Sequence, residues 1–189
     1  MELFTPRLIL RDFQQNDLAN LKELESLPES YYYESSQPNL EQITNKIHRS
    51  LEDSDQSPRT RYHLAITIQS LDQVRGRVSL TLINESIHEW EIGWAIHPAE
   101  WGKGIATEAA HRLLEFAFNE LGAHRVVAFS HAENAASIQV MKKLNMQQEG
   151  VLRETRSWKN EWSDEVVYSI LDREWDINIR NNNEPSEER

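Results

Sequence analysis

Between Glu89 and Leu121 a β-rich run, a turn holding Gly102 and Gly104, and a long amphipathic helix follow one another. No other stretch narrows the choice of fold as far. Ala106, Ala110, Leu113, Leu114, Ala117 and Leu121 fall on one face at helical spacing, which predicts a helix from about Ile105 to Leu121. Gly122 suits the left-handed position that ends such a helix. A strand over Glu89–Ile96, a glycine turn and a helix start, in that order, build an anion site. The first N–H groups of a helix lack intrahelical acceptors, and the helix dipole adds partial positive charge.

The remaining periodicities surround this junction with both element types. Leu8-Ile9-Leu10, bracketed by Arg7 and Arg11, reads as a strand, and Asp17 is placed to cap a helix carrying Leu18, Leu21 and Leu24. Leu40, Ile43, Ile47 and Leu51 predict a second helix, followed by a surface loop over Asp53–Thr60. Tyr62–Gln69, Arg75–Ile83 and Glu89–Ile96 suggest an antiparallel meander with turn signals near Asp72 and Asn84. Arg125–Phe129 reads as a buried strand, Asn134–Leu144 as a helix with Ile138, Met141 and Leu144 inward, and Val166–Leu171 as a last strand. One domain over 1–178 is expected, with 179–189 a polar tail that frays.

Charge and inventory then exclude whole function classes. With 31 acidic against 20 basic residues the net charge is −11, which opposes nucleic-acid binding and favours cationic partners. There is no cysteine, so thiolate nucleophiles, disulfides and cysteine zinc sites are ruled out. His97, His111, His124 and His131 show no paired metal-ligand spacing, so no metal is expected. No apolar run approaches a membrane span and no leader pattern precedes Arg11, so a cytoplasmic protein is expected, as monomer or homodimer.

The glycine spacing fits neither a Walker loop nor a dinucleotide fingerprint: no glycine precedes Gly102-Lys103 at the required interval, Gly104 follows the lysine, and a third glycine is missing. Instead Thr5-Pro6-Arg7-Leu8-Ile9-Leu10-Arg11, Glu91-Ile92-Gly93-Trp94, Trp101-Gly102-Lys103-Gly104-Ile105-Ala106-Thr107-Glu108-Ala109 and Asn134-Ala135-Ala136-Ser137 resemble the GNAT acetyltransferase superfamily, in particular its ribosomal-protein-alanine N-acetyltransferase branch. The resemblance spans roughly residues 3 to 175. It implies an α/β (α+β) fold with a mixed, mainly antiparallel sheet of about seven strands flanked by helices. Two central strands, ending at Ile96 and running over Arg125–Phe129, would splay apart to take pantetheine, with acetyl-CoA as donor and no metal.

Carried over residue by residue, the resemblance sets the diphosphate loop on Trp101, Gly102, Lys103, Gly104, Ile105, Ala106 and Thr107. Ala95 and Ile96 match the segment that pairs with pantetheine, and the Ile96 N–H is the candidate donor to the oxyanion of a tetrahedral intermediate. Such a donor is worth on the order of 3 kcal/mol. Glu91 matches the strand carboxylate that acts as general base; as a bland alternative it is a surface carboxylate. Asn134 is both a favoured helix N-cap and a match to the cofactor-contacting helix start. Many members carry a tyrosine acid where Met141 stands here, which leaves Ser137 as the nearest hydroxyl to the departing thiolate. Asn145-Met146 replaces a usual Gly-Phe, Asn tolerating the left-handed cap next best, and Trp101 replaces a common polar residue.

The expected activity is acetyl transfer to a primary amine, foremost a protein or peptide N-terminal α-amine, by direct attack in a ternary complex. A polyamine or aminoglycoside acceptor is the competitor within that class. A non-catalytic acyl-CoA-binding protein is the competitor outside it, supported only by Met141. Acceptor choice is expected to lie in loops such as Ser26–Gln37, which contains Tyr31-Tyr32-Tyr33, and Arg153–Asp164.

Overall fold

Among the described residues eight strands, numbered in chain order, form one sheet in the order β1-β2-β3-β4-β5-β6-β8-β7. The computed structural model describes residues 1–34, 36–69, 71 and 73–175. The turn signal at Asp72, the domain end at 176–178 and the polar tail over 179–189 lie outside them.

The strands are β1 (Glu2–Phe4), β2 (Leu8–Asp12), β3 (Arg61–Ile68), β4 (Val74–Asn84), β5 (Glu89–Ile96), β6 (Arg125–His131), β7 (Gln147–Trp158) and β8 (Glu161–Leu171). The helices are α1 (Leu18–Ser26), α2 (Leu40–Ser54), α3 (Ile105–Asn119) and α4 (Ala135–Lys143). Every neighbouring pair is antiparallel except β5 and β6. Those two run parallel because α3 carries the chain from the end of one back to the start of the other, a crossover no tight turn can make.

Alternation in the strands sorts the apolar side chains onto two faces. Leu64, Ile66, Val78, Leu80, Trp90 and Ile92 pack with the stripe of α3, where Ala109, Ala110, Leu113, Leu114 and Ala117 are wholly buried. Burying each such leucine contributes about 1.5–3 kcal/mol. On the other face Leu21, Leu24, Ile43 and Ile47 of α1 and α2 cover Phe13, Ala65 and Val74. Glu25 fastens that layer, bonding both Lys46 of α2 at 2.8 Å and Arg77 of β4 at 2.9 Å. No described helix is long and apolar enough to cross a membrane.

Several boundaries differ from the sequence reading. β1 and β7 lack an alternating apolar signal: β1 is three residues long, and β7 is an edge strand exposed along most of its length. Helix α2 continues through Asp53 and Ser54, where a loop was expected. Arg153–Asp164 is not a loop but the outer half of the β7–β8 hairpin, turning at Lys159 and Asn160, both at positive φ.

The sheet opens at its middle. β5 and β6 pair only at Glu89–Arg125, Trp90–Val126 and Glu91–Val127. Beyond those rungs β5 follows β4 as far as Ile96, while β6 follows β8 as far as His131. Arg125 closes the base of this fork, its Nε donating to Glu89 at 2.7 Å and its Nη1 donating to both Glu149 and Ser169 at 2.7 Å.

Candidate active site

The loop leading into α3 has an unusual surplus of donors. Trp101 N–H is taken by Pro98 O at 3.1 Å, and regular helix bonding starts with Glu108 N–H to Gly104 O at 3.0 Å. Among the described residues the N–H groups from Gly102 to Thr107 have no acceptor. Gly102 (φ +75°) and Gly104 (φ +79°) hold left-handed turns that set this row in line with the helix axis. Side-chain charge contributes little, since Lys103 is tied to the buried Glu100 at 2.9 Å. An anion placed here would meet backbone dipoles rather than a free side-chain charge. A hollow of about 490 Å³ adjoins the loop, with Gly104, Thr107, Arg112 and Lys143 in its wall.

The N-terminal motif explains how the loop keeps its shape. Arg7 bonds Glu108 at 2.6 Å through Nε and 2.5 Å through Nη2, and donates to the Lys103 carbonyl at 2.9 Å; Thr5 Oγ1 donates to Glu108 at 2.5 Å. Burial pushes the Glu108 carboxyl up, but the bonds from Thr5 and Arg7 outweigh it and lower its pKa. The clamp is therefore present above the ordinary glutamate range and weakens as pH falls below it. Arg7→Met is expected to raise the CoA dissociation constant roughly 3- to 10-fold, the equivalent of about 1 kcal/mol, with little change in melting temperature. Titration calorimetry checks this; an unchanged affinity would remove Arg7 from the site.

Pairing sense decides which backbone groups of β5 face the fork. His97 N–H reaches Arg75 O at 2.9 Å, so positions 97 and 75 exchange bonds, and so do 95 and 77 two residues on. The polar groups of Ala95 thus turn toward β4. Those of Trp94 and Ile96 turn toward the opening, where β6 no longer pairs. The Ile96 carbonyl accepts from the Trp101 indole N–H at 2.8 Å, which ties the loop to the end of β5, and the Ile96 N–H has no acceptor among the described residues. Gly76, opposite Ile96, keeps this spacing: a Cβ there would lie 2.7 Å from the Ala95 carbonyl.

Glu91 lies on the face of β5 away from α3 and is open to solvent. Its pKa is raised, first by desolvation among the surrounding strands and then by Glu165, with Arg156 opposing. Arg156 bonds Glu165 at 2.6 Å and comes within 3.8 Å of Glu34. On the same face His131 is buried beside Tyr33 and Trp158, its Nδ1 accepting from Glu133 N–H at 3.1 Å.

Asn134 caps α4, accepting from Ser137 N–H at 3.1 Å, and Ser137 is half-buried. Met141 is wholly buried in the core, so its position does not open on the fork at all. Asn145 (φ +58°) completes the expected left-handed cap, with Asn145 N–H on Lys142 O and Met146 N–H on Met141 O. The other histidines serve locally: His97 Nδ1 accepts from Ala99 N–H, His111 rests on Trp175, and His124 pairs with Asp172.

A mixed α/β sheet forked between two central strands, beside a helix start with a row of free amides, is a framework suited to an extended, anionic ligand. A family model for the acetyltransferase (GNAT) domain matches residues 7–147. Uncharacterized N-acetyltransferase p20 of Bacillus licheniformis is 30% identical over 92% of this chain and 97% of that protein. Uncharacterized N-acetyltransferase YnaD of Bacillus subtilis is 44% identical over 47% of this chain, and the match covers about half, 52%, of its own length. A GNAT-family acetyltransferase structure from Bacillus anthracis superposes with a TM-score of 0.80 at 27% identity, covering 92% of this chain and all of that one. The chain belongs to the GNAT acetyltransferase family and is an acetyl-CoA-dependent N-acetyltransferase.

Proposed function

We propose that this chain, as one acetyltransferase domain, acetylates a primary amine, foremost a protein or peptide N-terminal α-amine, by direct attack within a ternary complex. The observation that carries this reading is Glu91: a solvent-open carboxylate of raised pKa on the strand whose Ile96 N–H faces the fork unpaired. An ammonium cannot attack a carbonyl, and an α-amine of pKa about 7.7–8.0 needs only a carboxylate or a carboxylate-held water to lose its proton, whereas a lysine near 10.4 needs more.

Acetyl-CoA, when bound, supplies an activated thioester whose oxygen gains negative charge as the amine adds. The amides from Gly102 to Thr107 hold its diphosphate, and the Trp94 and Ile96 backbone lines its pantetheine. The Ile96 N–H meets the developing charge from a rigid strand. Glu91 takes the amine's proton. Ser137 stands nearest to hydrogen-bond the leaving thiolate, and because a thiol of pKa about 8.5 leaves readily, no stronger acid is required.

A small polycationic acceptor is the second reading. Similar proteins include one named putative ribosomal N-acetyltransferase YdaF, of Bacillus subtilis, and one named spermidine N(1)-acetyltransferase, of Escherichia coli. Thiol release from acetyl-CoA, followed over N-terminal peptides, spermidine and aminoglycosides, is expected for at least one peptide. Tight acetyl-CoA binding without release for any amine would make the chain a binding protein.

A further inference from the structure

At the tip of the β7–β8 hairpin the chain puts one of its own cations into an aromatic recess. Lys159 Nζ lies 4.2 Å from the Tyr32 ring centre and 4.1 Å from the Trp158 ring centre, and bonds the Tyr32 hydroxyl at 3.0 Å. Tyr33 stacks on Trp158 at 5.8 Å and meets Tyr32 edge-on at 4.9 Å, with His131 behind both Tyr33 and Trp158. The Trp158 indole N–H is held by the Tyr32 carbonyl, so the walls are fixed to each other across the sheet and the first helical region.

Two features separate this from a lysine lying on a convenient ring. Lys159 makes no ion pair among the described residues of an acidic chain; its partners are the rings and one hydroxyl. It is also a non-glycine residue at φ +51°, first of the two left-handed residues that join Trp158 to Glu161, a backbone state that lysine adopts only at a cost. The recess opens on the face that carries Glu91, joined to it through Glu165, Arg156 and Glu34, the residue after Tyr33.

We propose that Tyr32, Tyr33 and Trp158 form the subsite for a second cationic group of the acceptor, and that Lys159 fills it until an acceptor displaces the lysine. This rests on the amine-acetylating reading above and adds to it that the preferred acceptor carries a second positive charge besides the reacting nitrogen. Aromatic faces attract such a group through their quadrupole and leave the neutral, attacking amine for Glu91.

Calorimetric titration of the CoA-loaded chain with 1,5-diaminopentane and with pentylamine tests this without turnover. The diamine is expected to bind about 5-fold more tightly than the monoamine. Lys159→Gln, at an exposed turn, should tighten the diamine about 2- to 5-fold by emptying the recess, Trp158→Phe should keep most of the preference and Trp158→Ala should abolish it, all with unchanged CoA affinity. Equal binding of the two amines, or a preference that ignores both Lys159→Gln and Trp158→Ala, overturns the proposal. A pair of tripeptide amides, alanyl-lysyl-alanine against trialanine, tells whether a peptide side chain uses the same subsite. Diamine binding with the expected variant pattern but no thiol release from acetyl-CoA for any amine or peptide would sink the catalytic reading and leave the recess standing. Thiol release indifferent to both variants would do the reverse.

Discussion

Glu91→Gln is expected to lower kcat by roughly 10²- to 10⁴-fold, the range that a positioned general base supplies, and to leave acetyl-CoA affinity unchanged. The pH dependence gives a second readout. Because desolvation and Glu165 raise the Glu91 pKa, the acid limb of the kcat/KM profile in the native chain should fall above the ordinary glutamate range, since the base works only when ionised. A raised carboxylate pKa also means that the fold disfavours the ionised form: it costs stability at neutral pH, and that cost disappears as pH falls below the unfolded value. Glutamine removes the cost, so the variant should melt no lower than the native chain, and a lost rate is then a lost proton acceptor. A variant that keeps its rate and its acid limb would return Glu91 to the status of a surface carboxylate.

What could be read in advance depended on whether a residue's partner lies nearby in the chain. The stripe of α3, the Asn134 cap and the left-handed Asn145 are local matters of spacing and backbone preference, and the structure has each. The place of Glu91 on its strand and the glycine turn were legible through their order along one strand–turn–helix unit. By contrast, the work of Arg7 depends on Glu108 and Lys103, about a hundred positions away, so its motif was visible but its contact was not. Gly76 matters only because register sets it against Ile96, and the turn of the Ala95 backbone toward β4 is likewise set by which rungs of the ladder carry the bonds, which sequence alone does not say. Strand β7 escaped because an edge exposed on most of its length leaves no alternation to detect. Its tip, with Trp158 and Lys159, read as an uninformative loop for the same reason.

Gly104→Ala is expected to weaken CoA binding by about 10- to 100-fold and pantetheine binding hardly at all. Steric exclusion is not the cause, because a Cβ at Gly104 would come no closer than 3.5 Å to Arg7, an ordinary contact. The cause is conformational: at φ +79° an alanine costs about 1–2 kcal/mol, and the loop can escape that cost by rotating away from the left-handed region. Rotation swings the Gly104 and Ile105 N–H groups out of line with the helix axis, and each hydrogen bond to a charged acceptor is worth about 1.5–3 kcal/mol. Pantetheine lacks the diphosphate, so its affinity reports the fork alone, and comparing the two ligands isolates the helix terminus. Gly102→Ala, at φ +75° with nothing within 4 Å of the added carbon, should behave in the same sense. If CoA and pantetheine weaken by equal factors in these variants, the free amides do not hold the diphosphate, and the anion must be bound elsewhere on the chain.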